Sequence, residues 1–391
     1  MSNEQYYFPL DRYMSVEQFD RIKRYAVGKP SPCLIIDLDV VRARFTELQS
    51  LMPKACIYYA VKANPHDAVL AALAELGSYF DIASRYELDQ CLRLGITPDR
   101  LSFGNPIKKR VDIEYAYEKG VRLFVTDSDE DLDALAERAP GSRIVFRLLT
   151  EGTGSDWPLS RKFGAHPDTV YSLVLRARDL GLDPYGLTFH VGSQQRDIGQ
   201  WDDAISKCRY LVDSLRPEGV RIRMLNLGGG LPGTYTDATL PTKVYTSEIK
   251  RFLYEDFGDE ELDIFVEPGR YLAADSGVIV SEVIRLSKKS RNNQYRWMYL
   301  DVGKFSGLIE TLDEAIKFPI YFEKKGESEP VIIAGPTCDS MDILYEKTRY
   351  SVPSTVTTGD IAYILGAGAY TQSYSSVNFN GFPPLDAYIL E

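Results

Sequence analysis

The chain has 391 residues, 44% hydrophobic and 26% charged, which is typical of a globular protein with room for two domains. Its net charge of −11 argues against a nucleic-acid partner and fits cationic small molecules drawn in by the overall field. The first seven residues are polar and unlike a secretory signal, and no apolar run approaches the length of a membrane span. We therefore expect a cytoplasmic protein with no nucleic-acid or membrane partner.

Cysteine and histidine are sparse and scattered along the chain. The five cysteines include no Cys-x-x-Cys pair, which is typical of reduced thiols in a cytosol. The three histidines, at 66, 166 and 190, are not spaced for a metal cluster. We expect no structural zinc and no other metal.

Short apolar runs alternate with longer amphipathic stretches from Cys33 to about Tyr271. The runs are read as strands and include 33–36, 55–61, 122–125, 144–146, 187–190, 224–227 and 264–266. The stretches between them, such as 67–76 with Gly77 behind it, predict helices. Repeated strand–helix units predict a parallel sheet, and about eight units over roughly 240 residues match a (β/α)8 barrel.

After Tyr271 the long helical periods mostly disappear. The segments 278–286, 297–302, 330–334 and 360–365 are read as strands joined by turn-rich stretches, which predicts a β domain. Residues 1–32 are too few to fold alone and are expected to pack onto it. The predicted domains are a barrel over 37–272 and a β domain made of 1–36 and 273–391.

The most informative stretch is 58–65, where Lys62 ends an apolar run just before an Asn-Pro turn signal. A strand that delivers a lysine at its carboxyl end puts an amine at the mouth of an α/β barrel, where that fold keeps its chemistry. In a desolvated pocket such a lysine can lose its proton and attack a carbonyl, forming a Schiff base. A surface lysine at a strand end is the alternative interpretation of this stretch.

Two further motifs follow predicted strands. The glycine-rich segment 228–233 would let the backbone approach an anion, but it lacks the Gly-Lys-Ser/Thr of nucleotide loops and is equally explained by a tight barrel turn. Glu-Pro-Gly-Arg at 267–270 could hold a protonated ring nitrogen through Glu267 and a phosphate through Arg270 or the Gly269 N–H. A surface ion pair is the alternative there.

Other candidate groups are single side chains. His190 could stack on an aromatic cofactor and Ser193 could donate to a phosphate, although a lone histidine is also typical of a core. Asp81 and Glu87 could orient neighbouring groups, or Glu87 could complement a helix dipole. Cys338, beside a carboxylate in a Gly-Pro turn, could be reactive or a buried inert thiol.

Taken together, six motifs in this order resemble the fold-type III pyridoxal-phosphate-dependent decarboxylases, a family that includes ornithine, lysine, diaminopimelate and arginine decarboxylases. They are Tyr-Ala-Val-Lys-Ala-Asn at 59–64, Phe-Asp-Ile-Ala-Ser at 80–84, His-Val-Gly-Ser at 190–193, Gly-Gly-Gly at 228–230, Glu-Pro-Gly-Arg at 267–270 and Gly-Pro-Thr-Cys-Asp at 335–339. Arg-Lys-Phe-Gly at 161–164 and Gly-Ala-Tyr-Thr at 368–371 also fit, and they are most similar to ornithine/lysine decarboxylases.

The resemblance covers nearly the whole chain and implies an α/β fold, a (β/α)8 barrel of the alanine racemase type with a C-terminal β-sandwich-like domain. It implies pyridoxal 5'-phosphate as cofactor and a homodimer with shared active sites. The implied catalytic residues are Lys62, which bonds the cofactor, Glu267 at its ring nitrogen, His190 stacked on its ring, and Cys338, which returns a proton to the α-carbon.

The resemblance also implies two sets of binding residues. The cofactor set is Lys62, Asp81, Ala83, Arg147, His190, Ser193, Gly229, Gly230, Glu267, Gly269, Arg270 and Tyr370. Glu87 matches a further acid next to this set. The substrate set is Asp339, Glu310, Asp313 and Phe379, with Phe379 near the departing carboxylate; Glu314 is an alternative to Glu310 and Asp313 for the distal amine.

Within this family, the segment 233–237 lacks the arginine that diaminopimelate decarboxylases carry there for a second carboxylate. This favours a substrate with a distal cation, L-ornithine giving putrescine ahead of L-lysine giving cadaverine, in polyamine biosynthesis. Alternatives are a decarboxylase of carboxynorspermidine, arginine, an N-acylated diamino acid or diaminopimelate. An amino-acid racemase and a non-catalytic carrier or paralogue remain further alternatives.

Overall fold

The structure is a computed structural model that describes residues 8–157, 162–292 and 295–391. Its described residues form two compact units. The first, called the barrel unit below, comprises Arg42–Pro232 and Thr239–Tyr271. The second, called the β unit, comprises Met1–Val41, Gly233–Ala238 and Leu272–Glu391. No helix in the described ranges is both long enough and apolar enough to cross a membrane.

Eight parallel strands close into a barrel in the barrel unit. In chain order they are Ala55–Ala60, Tyr79–Ile82, Leu101–Phe103, Leu123–Thr126, Arg143–Arg147, Asp183–Thr188, Met224–Asn226 and Asp263–Val266. The last strand pairs in parallel with the first, with Ile264 opposite Ala55, and this closes the ring. The predicted barrel is confirmed, and all carboxyl ends of its strands meet at one mouth.

Helices follow the strands of the barrel. They are Asp67–Glu75, Arg85–Arg93, Arg110–Glu118, Asp129–Arg138, Pro167–Asp179, Gly199–Leu215 and Thr242–Phe257, and Leu38–Leu51 precedes the first strand. The helix Asp67–Glu75 shows why they form: Leu70 and Leu73 are fully buried on one face, each contributing about 2 kcal/mol. The chain leaves this helix at Gly77, whose φ of +88° favours glycine.

Aromatic side chains fill part of the barrel interior. Tyr58 stacks on Tyr79 and Phe265 with ring centroids 4.9 and 4.6 Å apart. Tyr185 belongs to the same buried cluster and donates to the Asp263 carboxylate at 2.5 Å. The barrel interior is therefore a packed core and not an open pore.

The β unit contains one mixed sheet of eight strands. They are Cys33–Asp37, Gly277–Ser287, Arg296–Leu300, Ile320–Tyr321, Ser328–Ala334, Ile343–Pro353, Ile361–Leu365 and Asp386–Leu390. The helix Val16–Ala26 buries Phe19 in the same core, where its ring makes edge contacts with Tyr321 and Tyr363. The predicted β domain is confirmed.

The run 33–36 opens the alternating pattern in sequence but is not a barrel strand; it belongs to the β unit, and the predicted β-domain segment 1–36 includes it. The strand Cys33–Asp37 pairs antiparallel with Gly277–Ser287 and parallel with Asp386–Leu390 in the β unit. All five of its residues are buried, and a fully buried strand looks the same from sequence whichever sheet it joins. The first barrel strand is instead Ala55–Ala60.

Candidate active site

Lys62 lies at the mouth of the barrel. The strand Ala55–Ala60 ends two residues before it, and Lys62 sits in the single 3-10 turn Val61–Ala63. Its side chain is 44% exposed, and its Nζ lies 3.4 Å from Oδ2 of Asp81, whose side chain is buried. The turn thus places an accessible amine whose nitrogen pairs with a buried carboxylate.

Asp81 and Glu87 are the two acidic residues of the segment 81–87 that interact with this amine. Burial raises the pKa of Asp81, while the nearby Lys62 ammonium acts in the opposite direction. Burial also raises the pKa of Glu87 to about 7. Ser84 caps the helix Arg85–Arg93 by accepting from the Glu87 N–H, and the Glu87 carboxylate accepts from the Ala83 N–H at 2.6 Å. Glu87 is therefore both a first-turn acid and a neighbour of the lysine.

Glu267 follows the strand Asp263–Val266 at the same mouth. Burial raises its pKa to about 7, the charge of Asp81 adds to this rise, and Lys62 opposes it. Asn226 donates from Nδ2 to the Glu267 carboxylate and accepts from the Gly228 N–H at 2.9 Å. A carboxylate held in this way can keep a proton on a basic ring nitrogen that binds beside it.

His190 is neutral and oriented. Its pKa lies well below the ordinary value, because burial disfavours the charged ring and the positive charges of Arg147 and Lys62 disfavour it further. The Gly192 N–H donates to its Nδ1 at 3.0 Å, so its own proton resides on Nε2. A Cβ placed on Gly229 would lie 3.1 Å from Nε2, which shows how closely the backbone passes the imidazole.

Ser193 and Arg270 form a buried hydrogen-bonded pair. Nε and Nη2 of Arg270 donate to the Ser193 hydroxyl at 3.1 and 3.0 Å. Arg270 is 3% exposed and Ser193 is 8% exposed. The glycine loop lies in the same unit: a Cβ on Gly228 would fall 2.1 Å from the Phe189 carbonyl oxygen, and Gly230 has φ +113°. Only glycine permits this close approach of the backbone.

Arg147 ends the strand Arg143–Arg147 and completes the charges at the mouth. Burial lowers its pKa, whereas the carboxylates of Glu267, Asp127 and Asp81 oppose that change. Its guanidinium lies over the Phe163 ring at 4.8 Å. Phe163 belongs to the motif 161–164, in which Arg161 lies outside the described residues.

These residues fit pyridoxal phosphate as a donor set. A guanidinium, a hydroxyl and glycine-loop backbone match a phosphate, Glu267 matches a ring nitrogen, and the neutral imidazole of His190 matches an aromatic ring. An amine at Lys62 matches an aldehyde. Ala83 and Gly269 belong to the same unit and lie next to Ser84 and Arg270, within the chain segments that carry these groups.

In the β unit, the predicted thiol lies in an exposed loop. Cys338 and Asp339 are exposed, and the Cys338 N–H donates to the Asn380 side chain at 2.9 Å. The loop is pinned by Asp342, which is 2% exposed and accepts from the Thr337 N–H and hydroxyl at 3.0 and 2.6 Å. The interpretation of Cys338 as a buried inert thiol does not describe this geometry.

The remaining predicted residues of the β unit divide by exposure. Glu310 is buried at 1%, whereas Asp313 is exposed with φ +52°. Glu314 accepts from the backbone N–H groups of 346, 347 and 348 at 2.6–2.7 Å, which ties its carboxylate to a strand. Phe379 is 36% exposed and packs on Phe305 at 4.5 Å, and Tyr370 contacts Tyr374.

The barrel unit therefore brings together Lys62, Asp81, Glu87, Arg147, His190 and Glu267, and it pairs Ser193 with Arg270, each three residues after a member of that group. Two supporting residues were missed from the sequence: Asn226, which donates to Glu267 in the barrel unit, and Asp342, which holds the Cys338 loop in the β unit. The only sequence signal for Asn226 is that it is a polar residue at the end of an apolar run, just before the glycine-rich segment. Asp342 carried no signal, because its role depends on a turn that reverses the chain onto Thr337.

Comparison with known proteins identifies the relatives of this chain. Residues 38–274 match the model of the pyridoxal-dependent decarboxylase family, pyridoxal binding domain. The lysine/ornithine decarboxylase of Selenomonas ruminantium is 31% identical over 92% of this chain and 90% of its own length. Antizyme inhibitor 2 of Xenopus laevis is 33% identical over 88% of this chain and 77% of its own length.

A solved structure gives the same result for the fold. The lysine/ornithine decarboxylase of Vibrio vulnificus complexed with cadaverine superposes with a TM-score of 0.87 at 28% identity, covering 97% of this chain and 100% of the other. The family match spans more than half of the chain and includes every barrel residue described above. The chain belongs to the pyridoxal-dependent decarboxylase family.

Proposed function

We propose that this protein decarboxylates L-ornithine to putrescine, with L-lysine to cadaverine as a second reaction, and so serves polyamine biosynthesis. The observation that carries the proposal is the Lys62 amine at the barrel mouth, held 3.4 Å from Asp81 beside the buried Glu267. The names of the bacterial relatives, which combine lysine and ornithine, support this pair of substrates.

The barrel unit would hold the cofactor at three points. Lys62 would bind its aldehyde, Glu267 its ring nitrogen, and Ser193 with Arg270 its phosphate, with Gly229, Gly230 and Gly269 around that phosphate. Tyr370, a residue of the β unit, stays a predicted further phosphate ligand. Bound pyridoxal phosphate supplies an electron sink for the electron pair left behind when carbon dioxide departs. Glu267 maintains the proton on the ring nitrogen, and the neutral His190 covers the ring without adding charge.

The β unit would supply the groups that meet the substrate. Asp339 and one of Glu310 and Asp313 provide carboxylates for a distal ammonium, whereas Glu314 is occupied by three backbone N–H groups. Phe379 offers an apolar surface that disfavours a solvated carboxylate. Cys338 would donate a proton from Sγ to the carbon that has lost its carboxylate.

The exposed position of these groups supports a homodimer with shared sites. Met341, Val377 and Phe382 surround the Cys338 loop and the Phe379 segment in sequence, and they are 56%, 76% and 39% exposed. Exposed apolar side chains near predicted substrate groups are typical of a surface that a protein partner covers. The five free cysteines support a reducing compartment such as the cytoplasm.

The test of the substrate is steady-state kinetics on L-ornithine, L-lysine, L-arginine and diaminopimelate, measured side by side as release of carbon dioxide. We expect the highest kcat/KM for ornithine and a lower value for lysine. A higher value for arginine or diaminopimelate would overturn the substrate assignment while leaving the family intact.

A non-catalytic role is the second candidate, because one relative is named antizyme inhibitor 2. The cofactor-binding residues Lys62, Glu267 and Arg270 are all present, which favours a working enzyme. Mixing the purified protein with pyridoxal phosphate separates the two. An absorbance band near the visible edge that borohydride abolishes is expected for the enzyme, and a colourless protein for the alternative.

A further inference from the structure

The loop that follows the third barrel strand, residues 104–109, contains a buried lysine that the proposed chemistry does not use. The side chain of Lys108 has no exposed area. Its Nζ lies 2.8 Å from the Val125 carbonyl oxygen and 2.7 Å from Oδ2 of Asp131, which is 9% exposed. The same nitrogen lies 3.1 and 3.3 Å from the carbonyl oxygens of 105 and 106, within its own loop.

Through these contacts Lys108 ties its own loop to the neighbouring strand and to Asp131. Burial disfavours both charges of the pair, lowering the pKa of Lys108 and raising that of Asp131, and their mutual attraction acts in the opposite direction. A buried ammonium that gathers two carbonyls of its own loop and one from the adjacent strand costs desolvation and therefore needs all of these contacts. The loop has one well-defined position as a result.

The loop reaches the active site through Gly104 and Asn105. The Gly104 N–H donates to the Ile82 carbonyl oxygen at 3.0 Å, and the Asn105 side chain donates to the Ala83 carbonyl oxygen at 3.1 Å. A Cβ on Gly104 would fall 1.9 Å from Oδ1 of Asp81. The backbone of the loop thus lies directly against the carboxylate that holds Lys62.

We propose that Lys108 is a positioning residue for the decarboxylation: it holds the loop 104–109 in place so that Gly104 confines the Asp81 carboxylate against the Lys62 nitrogen. This inference rests on the proposed function, because it concerns the same lysine. The confined carboxylate stabilises positive charge on that nitrogen more than a mobile, solvated carboxylate would. Lys108 therefore sets the proton affinity of Lys62 without touching cofactor or substrate.

The readout is the pH at which the visible absorbance band of the pyridoxal-phosphate-loaded protein titrates, since this reports the proton on the Lys62 nitrogen. The charged and titratable groups around Lys62 include Glu87, Glu267, Arg147 and the neutral His190, and none of them is substituted. In Lys108→Met we expect the midpoint to fall by about 0.5 to 1 pH unit. The cofactor dissociation constant should change less than about threefold, because the Ser193–Arg270 pair is intact.

Two further variants keep the test informative if Lys108→Met folds poorly. The double variant Lys108→Met/Asp131→Met replaces the buried ion pair by apolar side chains, which often preserves stability, and should still show the lowered midpoint. Gly104→Ala retains Lys108 but displaces Asp81, and should shift the midpoint in the same direction. Lys207→Met removes an exposed helix pair with Asp203 and should leave the midpoint unchanged.

A wild-type midpoint in the folded double variant, or in Gly104→Ala, would overturn the inference. A wild-type protein that shows no band at all would instead refute the proposed function, so the two failures are distinguishable. A loss of thermal stability with an unchanged midpoint would show that Lys108 serves only the fold.

Discussion

The barrel unit and the β unit carry candidate residues of opposite character. In the barrel unit Asp81 and Arg270 are buried and bonded to neighbours of the same unit. In the β unit Cys338 and Asp339 are exposed, and their loop is held from behind by Asp342. Buried charges tolerate few arrangements because each must keep its partners. The buried groups of the barrel unit are thus preorganised by their neighbours, whereas the Cys338 loop of the β unit presents its side chains to solvent.

The largest expected effect tests the centre of the barrel unit. Lys62→Ala removes the amine that would bind the cofactor, so kcat should fall by at least about 10³-fold, and the borohydride-sensitive absorbance should vanish. The control is Lys54→Ala, an exposed lysine just before the same strand, at its opposite end. Retained turnover in Lys62→Ala would refute the assignment of the site.

The second prediction tests whether burial raises the pKa of Glu87 in the barrel unit. Burial raises the pKa of Glu87 from 4.5 to about 7, so the folded chain holds this proton more tightly than the unfolded chain. Glu87 therefore stabilises the fold below pH about 4.5, and that contribution is lost as the pH rises through about 7. Glu87→Gln should remove this loss, which is on the order of 3 kcal/mol.

Urea unfolding of the cofactor-free protein between pH 4.5 and 8 measures this difference. The difference between the two curves reports Glu87 together with its interaction with Asp81, whose charge adds to the rise of the Glu87 pKa. Glu75→Gln, at an exposed position at the end of the preceding helix, should follow the wild-type curve. Parallel curves for the wild type and Glu87→Gln would contradict the raised pKa.

The third prediction disturbs the β unit alone. Asp342→Ala removes the acceptor of the Thr337 N–H, the Thr337 hydroxyl and the Lys304 N–H, so the Cys338 loop loses its support. We expect kcat to fall about 10- to 30-fold while the affinity for pyridoxal phosphate stays constant. Asp360→Ala is the matched control, because Asp360 accepts the same two bonds from Thr357 in another turn. Equal losses of kcat in both variants would show that the loop is not special.

The smallest effect is expected at the Ser193–Arg270 pair of the barrel unit. Ser193→Ala removes one hydroxyl and leaves Arg270 in place, so the affinity for pyridoxal phosphate should fall about fivefold to tenfold with little change in kcat at saturation. Equilibrium titration of the absorbance band measures it. Ser206→Ala, which removes a surface bond to Asp256, should bind the cofactor normally. An unchanged affinity in Ser193→Ala would remove Ser193 from the phosphate ligands.

Several elements were within reach of sequence reasoning because their signals are local. The apolar runs at 55–61, 144–146 and 264–266 became barrel strands, and Lys62 and Glu267 lie where those patterns place polar residues, just past the strand ends. The three-residue strand Leu101–Phe103 is too short to show a period, and so the loop with Lys108 behind it was overlooked.

Other elements could not be predicted, either because their strand pattern is irregular or because the pattern does not show which sheet the strand joins. The strand Ile343–Pro353 has a mixed pattern with register shifts against its partner, which hides the alternation of a regular strand. The run 33–36 has a clear strand pattern but joins a sheet whose other strands lie more than 240 residues later in the chain. Periodicity records how a residue is buried and not which strand is its neighbour.

The amino-acid sequence by itself determined the alternation of strands and helices, the residues at the strand ends and therefore the chemistry available to this protein, because these depend on neighbours a few positions away. Only the tertiary structure decided which carboxylate holds Lys62, that Glu87 and Glu267 have raised pKa values, and that Cys338 is exposed while Lys108 is not. Desolvation and pairing arise when distant segments meet, and no local pattern encodes them.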